Sequence, residues 1–360
     1  MQAGEQAAVS GQGFPPRVPC PVGSGEMRPH IWLPHVWTEP SGRPFAIYWS
    51  EEAGLGRLVP TPTPEELSRW YATESYQEYM DPSGAAPESS RPSRPALRTR
   101  LLFRLVRSLD RGQDVTAGEI HRLLGERPGR ICDVGCGSGM LLGDLHQLGH
   151  TTVGIEPSEG GRAATRARGA AALAGTAEEL PSESPECPGY RIGGFDVVVM
   201  IQSLEHCLDP MRAMQNVFRL LKPGGWFVCE VPNAGCVGFQ LSRAAWYHTD
   251  AGRHLTFFTR KGLSRALEQT GFAMERVLFS GYTRQFAWLN AEQEVWDRLF
   301  ADSPPEARAP VEADPPPPRP SERRQWALAS RTLLGPPERR YDSIRIHARK
   351  PLLDAAPASI

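Results

Sequence analysis

Between positions 130 and 280, short and nearly continuous apolar runs alternate with segments whose apolar positions recur every three or four residues. The runs RICDV (130–134), TTVGI (151–155), AAALA (170–174), FDVVVMI (195–201), WFVCEV (226–231) and FAMERVLF (272–279) predict strands. SGMLLGDLHQLG, PSEGGRAATRARG, DPMRAMQNVFRLL and TRKGLSRALEQTGF predict the intervening helices. The third of these helices is stopped by Lys222-Pro223-Gly224-Gly225. Apolar strands separated by helices belong to a parallel sheet covered on both faces. The fold class is therefore α/β.

The flanks read differently. Segment 1–44, rich in Gly, Pro and small polar residues, predicts loop or disorder. Segment 45–59 predicts a hairpin, and 64–80 a helix opened by Pro64, Glu65 and Glu66 with Leu67, Trp70 and Tyr71 at helical spacing. A polar linker covers 82–95. Over 96–109, Leu101, Leu102, Leu105, Val106 and Leu109 share one face, with Arg98, Arg100, Arg104 and Arg107 elsewhere as a solvated face. After 282 the alternation breaks. A helix is predicted over 286–300, a polyproline stretch at 315–318, and a short alternating strand, DSIRIHA, at 342–348. Asp314-Pro315-Pro316 resembles part of an amino-methylating motif, but it lies outside the strand region where that motif would act.

Composition adds limits. Gly 35 and Pro 35 together exceed ordinary usage, so part of the chain is expected outside the core. A net charge of −1 supplies no global field for nucleic acid or anionic membrane. The first residues show neither the basic nor the apolar region of a secretory signal, no run approaches the ~18 residues of a membrane span, and the expected location is cytoplasmic. Seven cysteines with no CxxC pair are expected as small buried hydrophobes in a reducing compartment.

The chemistry centres on Asp133-Val134-Gly135-Cys136-Gly137-Ser138-Gly139, between a strand and a helix. Alternate glycines permit a tight turn and a close ligand approach. In an open parallel sheet, ligands sit beyond the carboxyl ends of strands. A dinucleotide fingerprint counted from Gly135 needs glycine where Met140 stands. Asp133 also disfavours a pyrophosphate, whereas an ammonium group tolerates it. Glu156, closing the second strand, can accept both hydroxyls of a ribose and suits NAD as well as other adenosyl ligands.

RICDVGCGSGMLLGDL and VGIEPS resemble the first two motifs of class I S-adenosylmethionine-dependent methyltransferases. GTAEELP, FDVVVMIQSLEHCLDP, LKPGGWFVCEVPN and GRHLTFFTRKGLSRALEQTGF continue the similarity in order. The subgroup resembled holds ubiquinone-pathway and bacterial natural-product and surface-sugar enzymes. The resemblance implies a Rossmann-like seven-stranded sheet, six strands parallel and the last, 343–348, antiparallel. The implied division is a methyltransferase core over 96–282, an N-terminal hairpin, helix and linker over 45–95, a Pro-rich insertion over 283–340, a final strand over 341–350 and a tail over 351–360. Related N-terminal regions carry a cysteine-rich zinc ribbon; FAIYWSEEAGLGRL has no cysteine, and no metal site is expected. Gly175 stands where the family often has an acidic residue, which leaves adenine to Thr176 and backbone groups.

The cofactor implied is S-adenosylmethionine. Gly135, Gly137 and Gly139 would shape the methionyl pocket, Asp133 hold the ammonium, and Glu156 hold the ribose. Thr176 and Ala177 would flank adenine, and Gln202 would line the opposite side. The reaction is a displacement at an electrophilic methyl carbon, so alignment dominates and can supply up to ~7–11 kcal/mol. For a hydroxyl acceptor, a general base adds about 10²- to 10⁴-fold. Glu205, His206 and His254 are the catalytic candidates. A Glu-His pair at this position binds a divalent ion in some quinone-pathway relatives, and the alternative is that the pair orders its loop. His248 is expected in a substrate lid, and Tyr71 and Tyr76 either over the cofactor or packing a helix. The acceptor is expected to be a small molecule, most plainly a hydroxyl in secondary metabolism or envelope-sugar modification, with no nucleic acid as partner. An RNA methyltransferase, an NAD-dependent oxidoreductase and a cofactor-binding scaffold are the alternatives.

Overall fold

The structure is a computed structural model that describes residues 14–34, 43–71, 97–110, 115–183, 187–250, 252–287, 289–300 and 316–352. The first strands are β1 (Val18–Pro19), β2 (Glu26–Leu33), β3 (Phe45–Ser50) and β4 (Leu55–Val59). The expectation of loop for 1–44 is thus corrected within its described part. Met27, Ile31 and Leu33 of β2 are buried with a period of two, which is what a half-buried strand requires. Pro29, which has no N–H to donate, sits where the β2–β3 register shifts.

Helix α1 (Pro64–Tyr71) begins with a reciprocal cap: Glu66 N donates to Thr63 Oγ1 at 3.2 Å, and Thr63 N donates to Glu66 Oε2 at 2.8 Å. The rest of the expected 64–80 helix, with Tyr76, and the linker lie outside the described residues. Helix α2 (Leu97–Ser108) follows, and its expected apolar face is split. Leu102 and Val106 are buried, but Leu101 (55% exposed) and Leu105 (46%) face out beside Arg100, Arg104 and Arg107.

The alternation from residue 115 onward then unrolls. It comprises α3 (Ala117–Leu123), β5 (Arg130–Val134), α4 (Met140–Gln147), β6 (Thr151–Ile155), α5 (Glu159–Ala167), β7 (Ala171–Leu173), β8 (Phe195–Ile201), α6 (Pro210–Leu220), β9 (Leu221–Pro232), α7 (Val237–Ser242), β10 (Thr256–Phe258), α8 (Arg260–Gln269) and β11 (Ala273–Ser280). Beyond it lie α9 (Arg284–Ala287), α10 (Leu289–Phe300), α11 (Glu322–Thr332), α12 (Pro337–Arg340) and β12 (Ser343–Arg349). The segment holding Asp314 and Pro315 lies outside the described residues.

The main sheet has the order β11-β12-β9-β8-β5-β6-β7. Strands β5 to β9 pair in parallel, and β12 is inserted antiparallel between β9 and β11, so six strands share one direction. Alternate residues of the central strands feed opposite cores. Ile131, Val197, Val199 and Val228 meet Ala117 and Ile120 of α3 and Leu145 of α4. Cys132, Val198, Met200, Phe227 and Cys229 meet Met214 and Val217 of α6 and Leu263 and Ala266 of α8. Both faces are therefore dry, which explains strands without polar alternation.

The hairpin expected over 45–59 is β3–β4, and it belongs to a second sheet, β1-β2-β3-β4-β10, that was not anticipated. Its last strand comes from the loop after β9, and Thr256, Phe257 and Phe258 pair antiparallel with Arg57, Gly56 and Leu55. The insertion after β11 is fastened through a buried triad: Arg324 Nη2 lies 2.6 Å from Glu292 Oε1, and both side chains bond Ser242. All seven cysteines are free, and only Cys136 is part exposed. No helix among the described residues is long and apolar enough to cross a membrane.

Candidate active site

The glycine turn lies at the carboxyl end of β5. Gly135, Gly137 and Gly139 have φ of 81°, 52° and 71°, the left-handed region that glycine adopts without a Cβ clash. At Gly139 space is also decisive, because a Cβ would lie 2.5 Å from Thr165 Oγ1 and 2.8 Å from Thr165 Cα. The turn is pinned to the next strand by Gly135 N donating to Ile155 O at 2.8 Å.

Glu156, 6% exposed, accepts from Gly137 N (3.1 Å) and Ser158 N (2.9 Å), one bond to each oxygen. A carboxylate has about four lone-pair sites, so two are left for hydroxyls. Asp133 is 5% exposed, and burial, with Glu156 nearby, pushes its carboxyl up to about 7. Thr176 is exposed, and its Oγ1 accepts from Glu179 N at 3.0 Å. Ala177 is buried, and its carbonyl accepts from Asn216 Nδ2 at 2.9 Å. The departure at Gly175 has a steric reason: a Cβ there would meet Pro181 Cδ at 2.9 Å and Glu179 O at 3.0 Å. An acidic side chain does not fit this version of the loop.

Gln202 follows β8 with φ of 52°, unusual for a residue with a Cβ. The next residue abuts the glycine turn: Ser203 Oγ donates to Val134 O at 3.0 Å, and a Cβ on Gly135 would come within 2.8 Å of Ser203 Cβ. Asp133, near the carboxyl end of β5, and the other seven candidate cofactor residues, on the segments that follow β5, β6, β7 and β8, thus lie at one edge of the sheet.

Glu205, His206 and His254 also converge, with one ligand atom of each lying within 4.8 Å of the others. Glu205 is 1% exposed, and neither carboxylate oxygen has a hydrogen-bond partner. Burial, with Glu230 and Asp250 nearby, pushes its carboxyl up to about 8. His254 Nδ1 lies 2.7 Å from His248 O, and His206 Nδ1 lies 3.1 Å from Arg253 O. A carbonyl only accepts, so at His254 the hydrogen is assigned to Nδ1 and Nε2 keeps its lone pair, while His206 Nδ1 has both a carbonyl and the Tyr71 hydroxyl as partners. Burial lowers both imidazoles, His254 well below its ordinary value, so both are neutral. Neutral imidazoles beside this carboxyl group are a proton-accepting set and, once the carboxyl gives up its proton in favour of a cation, equally a divalent-cation set.

His248 is not in an open lid. It is 7% exposed, and its carbonyl orients His254. The Tyr71 hydroxyl lies 2.9 Å from His206 Nδ1, so α1 packs directly on this cluster. Arg57 was missed: from β4 it donates to Thr256 Oγ1 at 2.9 Å and to Leu208 O, clasping the loop that carries Glu205 and His206. No local pattern marks such a residue, since its partners lie 151 and 199 positions away.

A family model described as a methyltransferase domain matches residues 110–277. A ubiquinone biosynthesis O-methyltransferase of Maricaulis maris is 33% identical over 200 residues, 51% of this chain and 76% of that protein. One of Ruegeria pomeroyi is 35% identical over 130 residues, 35% of this chain and 52% of that protein. Against that protein and two similar relatives the chain spans about half of their length (52, 59 and 48%). Among solved structures, an S-adenosylmethionine-dependent methyltransferase of Mesorhizobium loti aligns at 18% identity and a TM-score of 0.39, over 66% of this chain and 100% of that one. One of Methanosarcina mazei aligns at 16% identity and 0.41, over 65% and 97%. The chain belongs to the class I S-adenosylmethionine-dependent methyltransferases. The cofactor of that family is S-adenosylmethionine.

Proposed function

We propose that this protein transfers the methyl group of S-adenosylmethionine to a hydroxyl oxygen of a small-molecule acceptor, in secondary metabolism or envelope-sugar modification as the resemblance implies. The observation that carries the reading is the pair of neutral histidines beside the buried carboxyl group of Glu205, whose oxygens have no hydrogen-bond partner, next to the glycine turn. In this reading Asp133 takes the ammonium and the bends at Gly135, Gly137 and Gly139 admit the methionyl chain. Glu156 offers its remaining lone pairs to the ribose, Thr176 and Ala177 flank adenine, and Gln202 closes the far side. The name O-methyltransferase carried by the relatives supports oxygen as the nucleophile.

The acceptor oxygen forms a bond to the methyl carbon as the carbon–sulfur bond breaks, leaving S-adenosylhomocysteine. The hydroxyl proton passes to the Nε2 lone pair of His254, which its Nδ1 tether to His248 O holds in the accepting tautomer, or to a ring nitrogen of His206. The same three side chains fit a divalent cation: Glu205 has two orphaned oxygens and the imidazoles are neutral. Such an ion, when bound, supplies a lowered pKa for a coordinated hydroxyl. The enclosure of Glu205 and His254 keeps bulk water from competing for the methyl group.

The test is transfer of radiolabelled methyl from the cofactor into fractionated metabolites and a panel of phenols and sugars. Label should enter a hydroxyl. Glu205→Gln and His254→Asn should each lower turnover by about 10²- to 10⁴-fold while S-adenosylhomocysteine still binds. Label confined to nitrogen or carbon acceptors, or full turnover in both variants, refutes the reading.

A further inference from the structure

Gln202 holds a left-handed backbone conformation at the rim of the cofactor crevice, and nothing in its own sequence favours that conformation. What holds it is one residue on the neighbouring strand. Gln202 N donates to Glu230 O at 2.8 Å, and Gln202 Nε2 lies 3.4 Å from Glu230 Oε1. Glu230 itself is 3% exposed, in a strand that offers few polar partners. Its other oxygen takes Arg345 Nε at 2.7 Å from β12, and Arg345 Nη2 lies at the same distance from that oxygen. Arg345, 7% exposed, is held in turn by Glu119 at 2.6 Å, and Glu119 by His347 Nε2 at 2.9 Å.

The order of the elements matters. Glu119 lies on α3, Arg345 and His347 on β12, Glu230 on β9, and Gln202 just past β8. A charge-assisted chain thus runs from a helix under the sheet, across the inserted antiparallel strand, to the crevice rim. A buried carboxylate paired with a guanidinium on one side has a fixed position, and it presents its remaining oxygen in a fixed direction. A packed core with alternating apolar residues would fill the same volume but would not hold a left-handed bend.

We propose that Glu230, locked by Arg345, is a positioning residue that fixes the Gln202 bend and thereby the shape of the S-adenosylmethionine crevice. This rests on the reading that Gln202 borders the cofactor. Glu230 touches neither cofactor nor acceptor; it acts through Gln202.

The test is calorimetric titration of S-adenosylhomocysteine into the full chain, with a double-mutant cycle between positions 230 and 202. Glu230→Gln keeps the volume and removes the charge that holds Arg345. Gln202→Gly takes the left-handed bend unaided. Glu230→Gln should weaken binding at least tenfold when residue 202 is Gln. In the Gln202→Gly background its effect should be at least fivefold smaller. A smaller difference between the two backgrounds, or no loss in the first, overturns the proposal. If Glu230→Gln does not fold, Gln202→Ala against Gln202→Gly decides, because both lack the carboxamide and only glycine avoids the backbone penalty. Binding at least fivefold tighter for Gln202→Gly supports the proposal, and any smaller difference overturns it. Absence of binding by the unsubstituted protein overturns the cofactor reading itself, whereas equal losses in both backgrounds overturn only the positioning role.

Discussion

Consider Asp133→Asn. In the unliganded protein the Asp133 carboxyl sits near 7, raised by burial and by the Glu156 carboxylate beside it. Its ordinary value is 3.8, so between those limits the folded protein holds a proton that the unfolded chain has released. A raised pKa of this kind contributes stability below the unfolded value and loses it as pH rises toward 7. The full difference corresponds to about 4 kcal/mol at 1.36 kcal/mol per unit, so the unliganded Asn variant should be more stable than the parent above pH 7 by up to that amount. Cofactor binding works the other way. An ammonium placed against Asp133 favours the ionised carboxylate, so binding must expel the proton. Below pH 7 each unit of acidity should weaken S-adenosylhomocysteine binding by up to about tenfold, or up to about 30-fold between pH 7 and 5.5. Calorimetry in two buffers of different ionisation enthalpy reads the expelled proton directly, and urea unfolding reads the stability. Asp133→Asn should bind more weakly at pH 7.5, with a flat pH profile and no proton release. An affinity in the parent that does not change from pH 5.5 to 7.5, or the same slope in the variant, refutes the reasoning.

Other substitutions probe the frame. Gly139→Ala must place a Cβ 2.5 Å from Thr165 Oγ1 at a φ of 71°, so it should lower the unfolding free energy read from urea denaturation by at least the ~1–2 kcal/mol of a left-handed alanine and abolish measurable cofactor binding. Arg57→Met keeps the stem and removes the donors to Leu208 O and Thr256 Oγ1. It should cost about 1.5–3 kcal/mol of stability and lower kcat more than it raises KM for the cofactor, because the loop it clasps carries the candidate base and not the glycine turn. Removing divalent ions with a chelator should lower turnover if Glu205, His206 and His254 coordinate one, and restoring activity with a single added ion would identify it.

The parallel sheet was legible because each strand announces itself within five to seven residues, and the glycine turn because its conformational demand is local. Asp133, Glu156 and Gln202 were singled out by position, Asp133 near the end of a predicted strand and the other two just past strands. Of the second sheet only the β3–β4 hairpin was legible, as the hairpin predicted over 45–59. Met27, Ile31 and Leu33 do alternate, but Pro29 and a Gly- and Pro-rich neighbourhood obscure the period. The β10 strand is only three residues long and exists because β4 lies beside it. Arg345 and His347 are polar positions of the alternating strand, and both are buried. Their partners, Glu119 and Glu230, stand more than 100 positions away, and no local pattern carries that information. The convergence of His254 with Glu205 and His206 is of the same kind, since only the folded loop brings them together.

The pairing of β4 with β10 also sets an order of events during synthesis. The hairpin of β3 and β4 leaves the ribosome early, yet the strand that closes its edge ends at Phe258, about 200 residues later. At ordinary elongation rates of ~5–20 residues per second, that edge waits on the order of 10–40 s for its partner. Throughout that interval Leu55 and Leu58, fully buried in the finished protein, have no Phe257 or Phe258 to cover them. A nascent-chain holdase that covers this edge should therefore raise the yield of native protein.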